Sequence, residues 1–234
     1  MKQFINPNDY KSILVLDGAI PTKKFFDEMQ LPIISADGAT NKLHRMGVTP
    51  HIVIGDLDSV DPEILANYKH ERIEDQSSSD FQKALKYMKD NDWFPTIICG
   101  ITGGYIDHEM NNINIFMQTD GNIFITDGVI GYKVQEESKY KFPLGTKISI
   151  IGIPECVVST RGLRWELEKY TTKFPGQNSC FNRVVSEELI VIPHDGAALM
   201  LIYTKEINDA GLGACHQLLE HTTSCSEKRI GHAI

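Results

Sequence analysis

Ile52-Val53-Ile54-Gly55-Asp56-Leu57-Asp58-Ser59 is a run of three β-branched apolar residues, a glycine, and then two carboxylates two positions apart. A short apolar run closed by turn residues reads as a strand buried on both faces, the kind found in parallel sheets. Its acidic residues begin where the strand ends. The pattern recurs on both sides: Leu31 to Ala36 ends in Asp37-Gly38, and Thr96 to Cys99 leads through Gly103-Gly104 to Asp107-His108. Ile13 to Leu16 and Ile123 to Ile125 supply further runs of the same type.

Helical patterns lie between these strands. Thr22 to Gln30 is one. Ala39, Leu43 and Met46 recur at helical spacing before Gly47, a C-terminal cap, and Asp61 to Tyr68 carries Pro62 in its first turn. Ser79-x-x-Gln82 is a capping box, with Phe81, Ala84, Leu85 and Met88 as the stripe behind it. Asp107 to Gln118 places Met110, Ile113 and Met117 on one face. This alternation predicts an α/β domain over residues 1–130, a mostly parallel sheet flanked by helices.

Near Gly128 the texture changes. Lys147–Ile151, Val157–Thr160, Arg164–Glu168, Glu188–Ile192 and Ala198–Tyr203 are β-type stretches. Pro143-Leu144-Gly145, Pro175-Gly176 and Asp195-Gly196 read as the turns between them. The expectation is a C-terminal antiparallel β-sandwich or barrel domain over 131–205. Residues 206–234 form a tail with no period. Its Cys215, His216, His221, Cys225 and His232 match no zinc-knuckle spacing.

Of the 234 residues, 41% are hydrophobic and 23% charged, an ordinary balance for a chain that buries a core. The net charge of −8 argues against non-specific nucleic-acid binding, which needs a basic surface. Met1 to Tyr10 lacks the apolar core of a signal peptide, and no run has the length of a membrane span. Five scattered cysteines form neither a disulfide framework nor a CxxC knuckle, so a reducing cytoplasm is the expected location.

In open α/β sheets, ligands bind outside the carboxyl ends of the strands. Asp37, Asp56 and Asp107 follow strands, and Asp80 falls in the first turn of its helix, where the helix dipole favours a carboxylate. Singly, each reads as a turn former or helix cap. Together they describe one edge lined with hard oxygen ligands, the chemistry of Mg²⁺ shared with substrate phosphates. Asp56 and Asp58 can face one cation only where the backbone leaves a flat strand. Neither GxxxxGK[ST] nor GxGxxG is present.

The stretches Ser35 to Leu43, Gly55-Asp56-Leu57-Asp58-Ser59, Asp75 to Leu85 and Gly103 to His108, with Gly162 to Leu167 and Ser179-x-x-Asn182, resemble the thiamin pyrophosphokinase family in order over residues 10–204. The resemblance implies a homodimer that transfers a pyrophosphoryl group from ATP to the thiamin hydroxyl, releasing AMP. It implies Mg²⁺ on Asp56, Asp58 and Asp80. Asp37 and Asp107 would position nucleophile and phosphates, either one available as base. Gln76 would orient substrate, and Lys42 and His108 would offset phosphate charge. Ser179 and Asn182 would contact thiamin, and Trp165, first of all a packing residue of the β domain, would stack on it. Four positions depart from the family: Tyr105 stands where arginine is usual, Phe181 replaces a hydroxyl, Leu199 lies where animal members carry an aromatic residue, and Ala39 replaces a glycine. Competing readings are a pyrophosphokinase for a pterin-like hydroxymethyl heterocycle, a metal-dependent phosphohydrolase, and a binding protein without turnover.

Overall fold

A computed structural model describes residues 5–204 of the chain; the tail positions carrying Cys215, His216, His221, Cys225 and His232 lie outside the described residues. The first half alternates β1 (Ser12–Val15), α1 (Lys23–Met29), β2 (Ile33–Ala36), α2 (Ala39–Met46), β3 (Ile52–Gly55), α3 (Pro62–Leu65), β4 (His70–Arg72), α4 (Asp80–Asp90), β5 (Thr96–Cys99), α5 (Ile106–Gln118) and β6 (Ile123–Thr126). These strands are parallel in the order β6-β5-β1-β2-β3-β4. After β1 the chain builds outward to β4 and then returns to lay β5 against the other side of β1. The topological switch therefore lies between β1 and β5, where open α/β sheets form their binding crevice.

Strand alternation divides the core in two. Ile13, Val15, Ile97 and Cys99 point to the face covered by Phe25, Phe26 and Met29 of α1 and Leu43 of α2. Leu14, Ile34, Ile54 and Ile98 point to the other, under Phe81, Leu85 and Met88 of α4 and Phe116 of α5. Each buried aliphatic side chain of this kind contributes about 1.5–3 kcal/mol.

The second half is antiparallel: β7 (Val129–Val134), β8 (Ser138–Tyr140), β9 (Lys147–Arg161), β10 (Tyr170–Lys173), β11 (Ser179–Arg183) and β12 (Leu189–Tyr203). β6 and β7 form a hairpin, so the sheet passes without a break from one half to the other. β9 and β12 pair along most of their length. The start of β9 carries β11 and its end carries β10. The start of β12 carries β8 and its end carries β7. Ile148, Ile150, Val158, Leu189, Val191 and Met200 from both ends share one apolar cluster.

Several sequence expectations change. Lys147–Ile151 and Val157–Thr160 belong to one strand, as do Leu189–Ile192 of the expected Glu188–Ile192 stretch and Ala198–Tyr203; Asp195-Gly196 is a bulge within β12, not a turn, with register shifts on both sides and Gly196 at φ +72°. Arg164–Glu168 is a loop, because Glu166 folds back: its Oε1 accepts Gly162 N and Leu163 N, and its Oε2 accepts the Thr160 hydroxyl. The helix expected over Asp61–Tyr68 ends at Leu65, where Asn67 Nδ2 takes the carbonyls of Glu63 and Ile64. On α5, Ile115 and Phe116 are buried with Ile113 and Met117 beside them, whereas Met110 is exposed.

Candidate active site

The cleft at the switch point has a volume of about 540 Å³. Its walls are the turns that follow β1 (Leu16-Asp17-Gly18), β2 (Asp37-Gly38) and β5 (Gly100 to Tyr105), closed by Ser79-Asp80-Phe81 and by His108, Glu109 and Asn112 of α5. Gly18 permits the walls to meet. A Cβ there would lie 2.1 Å from the Thr102 carbonyl oxygen and 2.2 Å from that of Gly100.

The carboxylates converge above Gly55. A Cβ on this residue would stand 2.8 Å from the Asp37 Cβ and 3.2 Å from an Asp80 carboxylate oxygen, so glycine is required to let the two acids in. Leu57, between Asp56 and Asp58, adopts φ +65°, a left-handed conformation that costs a non-glycine residue roughly 1–2 kcal/mol. That turn is the departure from a flat strand that brings both acids to one place. Asp37, Asp56 and Asp58 each offer an oxygen within 4.8 Å of the others. Asp80 opens α4 behind the Ser79–Gln82 capping box, as the sequence indicates. Its carboxylate, however, accepts from Lys83 Nζ at 3.0 Å, and the group within one cation's reach contains Asp37 in its stead.

Lys83 is 4% exposed and donates also to Asp56 Oδ2 at 2.8 Å, which Gln76 Nε2 shares at 3.2 Å. The loop holding Gln76 is tied by Asp75, whose carboxylate accepts from Ser77 and Ser78; these bonds hold its pKa down at about 2. The Lys83 hydrogen bond likewise lowers the pKa of Asp56. Asp37 goes the other way. Burial, then the charge of Asp80, raises it to about 6 despite a hydrogen bond from Ser59. Asp37 Oδ1 and Asp56 Oδ1 are buried and have no hydrogen-bond partner among the described residues. Buried unpaired carboxylate oxygens are costly, and a set made only of carboxylates suits a hard divalent cation. The residues fit a divalent metal ion.

Other expected residues are placed as follows. His108 lines the cleft, but Asp107 does not; its Oδ1 accepts the His108 N–H at the exposed start of α5. Lys42 reaches the cleft with its donors engaged: Nζ contacts Asp17 Oδ1 at 2.9 Å, Asp17 O at 2.5 Å and Gly18 O at 2.9 Å. It braces the β1 turn. Asn182 is buried and its amide is used within the protein, on Trp165, Ser179 and Arg183. Trp165 is 56% exposed, with the Arg164 guanidinium 5.0 Å from its ring centre. Phe181, at φ +54°, is exposed and leans on Tyr203.

Asp17, Lys83 and Glu109 escaped sequence reasoning. Asp17-Gly18 after β1 repeats the Asp37-Gly38 pattern and could have been found by it. Glu109 Oε1 accepts Gly103 N and Gly104 N at 2.5 and 3.2 Å, shaping the glycine turn. Lys83 gives no signal, since a lysine on a helix reads as solvent-facing.

Two family models match the chain: thiamin pyrophosphokinase, catalytic domain, over residues 22–125, and thiamin pyrophosphokinase, vitamin B1 binding domain, over residues 132–196. A rice protein, thiamine pyrophosphokinase 3, is 27% identical over 219 residues, covering 77% of this chain and 81% of its own. Among solved structures, yeast thiamin pyrophosphokinase superposes with a TM-score of 0.73 at 18% identity, covering 86% of this chain and 88% of its own. The Bacillus subtilis thiamine pyrophosphokinase gives 0.69 at 19% identity, covering 84% and 100%.

Proposed function

We infer the working of this site from the premise that the chain belongs to the thiamin pyrophosphokinase family. It is an ATP-dependent diphosphotransferase, passing a pyrophosphoryl group from ATP to the thiamin hydroxyl to yield thiamin diphosphate and AMP. The thiamin oxygen attacks the β-phosphorus, and the bond from that phosphorus to the α,β-bridging oxygen breaks.

The assignment of the metal site is our proposal, and one observation carries it: Asp37 and Asp56 each hold a buried oxygen without a donor among the described residues, in one cluster with Asp58. Asp56 and Asp58 are common to this cluster and to the set that the sequence suggests, so they are the proposed Mg²⁺ ligands, flanked by Asp37 and Asp80. Bound there, Mg²⁺ would neutralise phosphate charge. The backbone of the Gly100–Gly104 turn allows phosphates close approach, and Lys42 holds the opposite turn in place. Of the two candidate bases, Asp37 lines the cleft and Asp107 does not; Asp37 is the proposed acceptor of the hydroxyl proton. His108 faces the cleft as a charge-offsetting group. Gln76 acts by steadying Asp56.

Residues 1–130 are proposed as the catalytic domain and 131–205 as the thiamin-binding one, with Trp165 and Ser179 on its recognition face and Asn182 supporting them. A homodimer brings that face to the cleft. No helix among the described residues is long and apolar enough to cross a membrane, and Cys99, Cys156 and Cys180 are free thiols; the cytoplasm is the proposed location. Incubation with ATP, Mg²⁺ and thiamin, followed by mass analysis, tests the reaction. Thiamin diphosphate with equimolar AMP is expected. ADP or free phosphate would replace this reading with a simple kinase or a hydrolase.

A further inference from the structure

Lys83 lies on α4, three residues beyond Asp80, and is almost wholly buried. Lysine is rarely buried unless paired. Here the pairing is double, to Asp56 Oδ2 and Asp80 Oδ1. What distinguishes it from an ordinary structural ion pair is the atom left over. On Asp56, Lys83 and Gln76 both donate to Oδ2, and Oδ1 stays buried with no donor among the described residues. The bridge consumes a single oxygen and thereby fixes the rotation of the carboxylate.

We propose that Lys83 is a positioning residue for the divalent cation, holding Asp56 so that Oδ1 faces the shared carboxylate cluster. The inference rests on the metal reading above. Groups that orient a ligand through its second atom typically matter 10–100-fold for metal affinity. Lys83 also places one positive charge between Asp56 and Asp80, which offsets these two acids before any cation arrives.

The test is Mn²⁺ binding to the full chain without substrates, followed by the electron paramagnetic resonance of free Mn²⁺. Folded Lys83→Gln should bind about 10–100-fold more weakly than the parent. Lys83→Arg, able to donate to both carboxylates, should recover most of the affinity. A purely structural role would change unfolding midpoints but not this constant. Should Lys83→Gln fail to fold, the charge-balanced pair Lys83→Gln/Asp80→Asn is compared with Asp80→Asn alone, and must bind more weakly. Equal or tighter binding in either comparison overturns the proposal. If the parent itself binds no Mn²⁺, the metal reading falls and this inference with it; if the parent binds and Lys83→Gln binds equally, only the role of Lys83 falls.

Discussion

Asn182 grips both ends of one residue: its Oδ1 accepts the Trp165 N–H at 3.1 Å and its Nδ2 donates to the Trp165 carbonyl at 2.6 Å. The amide thus acts as a clip that presents an exposed indole, and it has no free valence for substrate. Asn182→Ala should destabilise the protein by about 1–3 kcal/mol, the cost of leaving buried polar groups unpaired, and raise the KM for thiamin through a loosened Trp165. Denaturant unfolding and thiamin kinetics check both halves. A raised KM at unchanged stability would put Asn182 on the substrate after all.

Asp58 is exposed, and its hydrogen bond to Ser59 is local. Asp58→Asn should therefore leave the unfolding midpoint where it is and lower turnover by about 10²-fold or more, the usual scale for removing one preorganised electrostatic contact. Excess Mg²⁺ should recover part of the loss. Full turnover in the folded variant would remove Asp58 from the ligand set.

Asp37 makes the metal-free protein pH-sensitive. Its folded pKa of about 6 lies above the ordinary 3.8, chiefly through burial. Between those values the folded state holds more protons than the unfolded one, so stability falls as pH rises through this window. In chelator, Asp37→Asn should be more stable than the parent at pH 7.5, and the difference should shrink towards pH 4. Thermal unfolding of both proteins across that range measures it; a difference that grows on acidification would refute the sign.

Gly18 is where the β1 and β5 turns touch. Gly18→Ala must push apart two backbone carbonyls and should cost about 1–3 kcal/mol, as overpacking does. ATP KM should rise with it, because the same turns form the cleft wall. Unfolding and ATP kinetics are the readouts, and a silent Gly18→Ala would mean that the turns are free to separate.

What could be read from the chain was what local chemistry dictates. The Ser79–Gln82 box forms as the sequence indicates because both of its hydrogen bonds lie within four residues. The β-branched runs at Ile33–Ala36, Ile52–Gly55 and Thr96–Cys99 are strands because nothing else buries such runs in so few residues. The turn signal at Asp195-Gly196 misled, because a long twisted strand accommodates a positive-φ glycine as a bulge. β4 was missed since His70-Glu71-Arg72 is an exposed, polar edge that joins the sheet through its backbone pairing with β3. In the site, Asp56 and Asp58 were legible as a pair. The partners that decide their chemistry were not: Lys83 and Gln76 lie 27 and 20 residues from Asp56, and only the folded sheet brings them there.

The order of strands also has a history in time. β1 is complete by Val15, yet its second neighbour, β5, pairs Ser12 with Thr96 and Val15 with Cys99. During synthesis the central strand therefore waits, with one edge bare, while some eighty residues are added at about 5–20 per second. Until then the edge of β1 that β5 covers is an open, apolar sheet margin, the kind of surface on which chains pair wrongly.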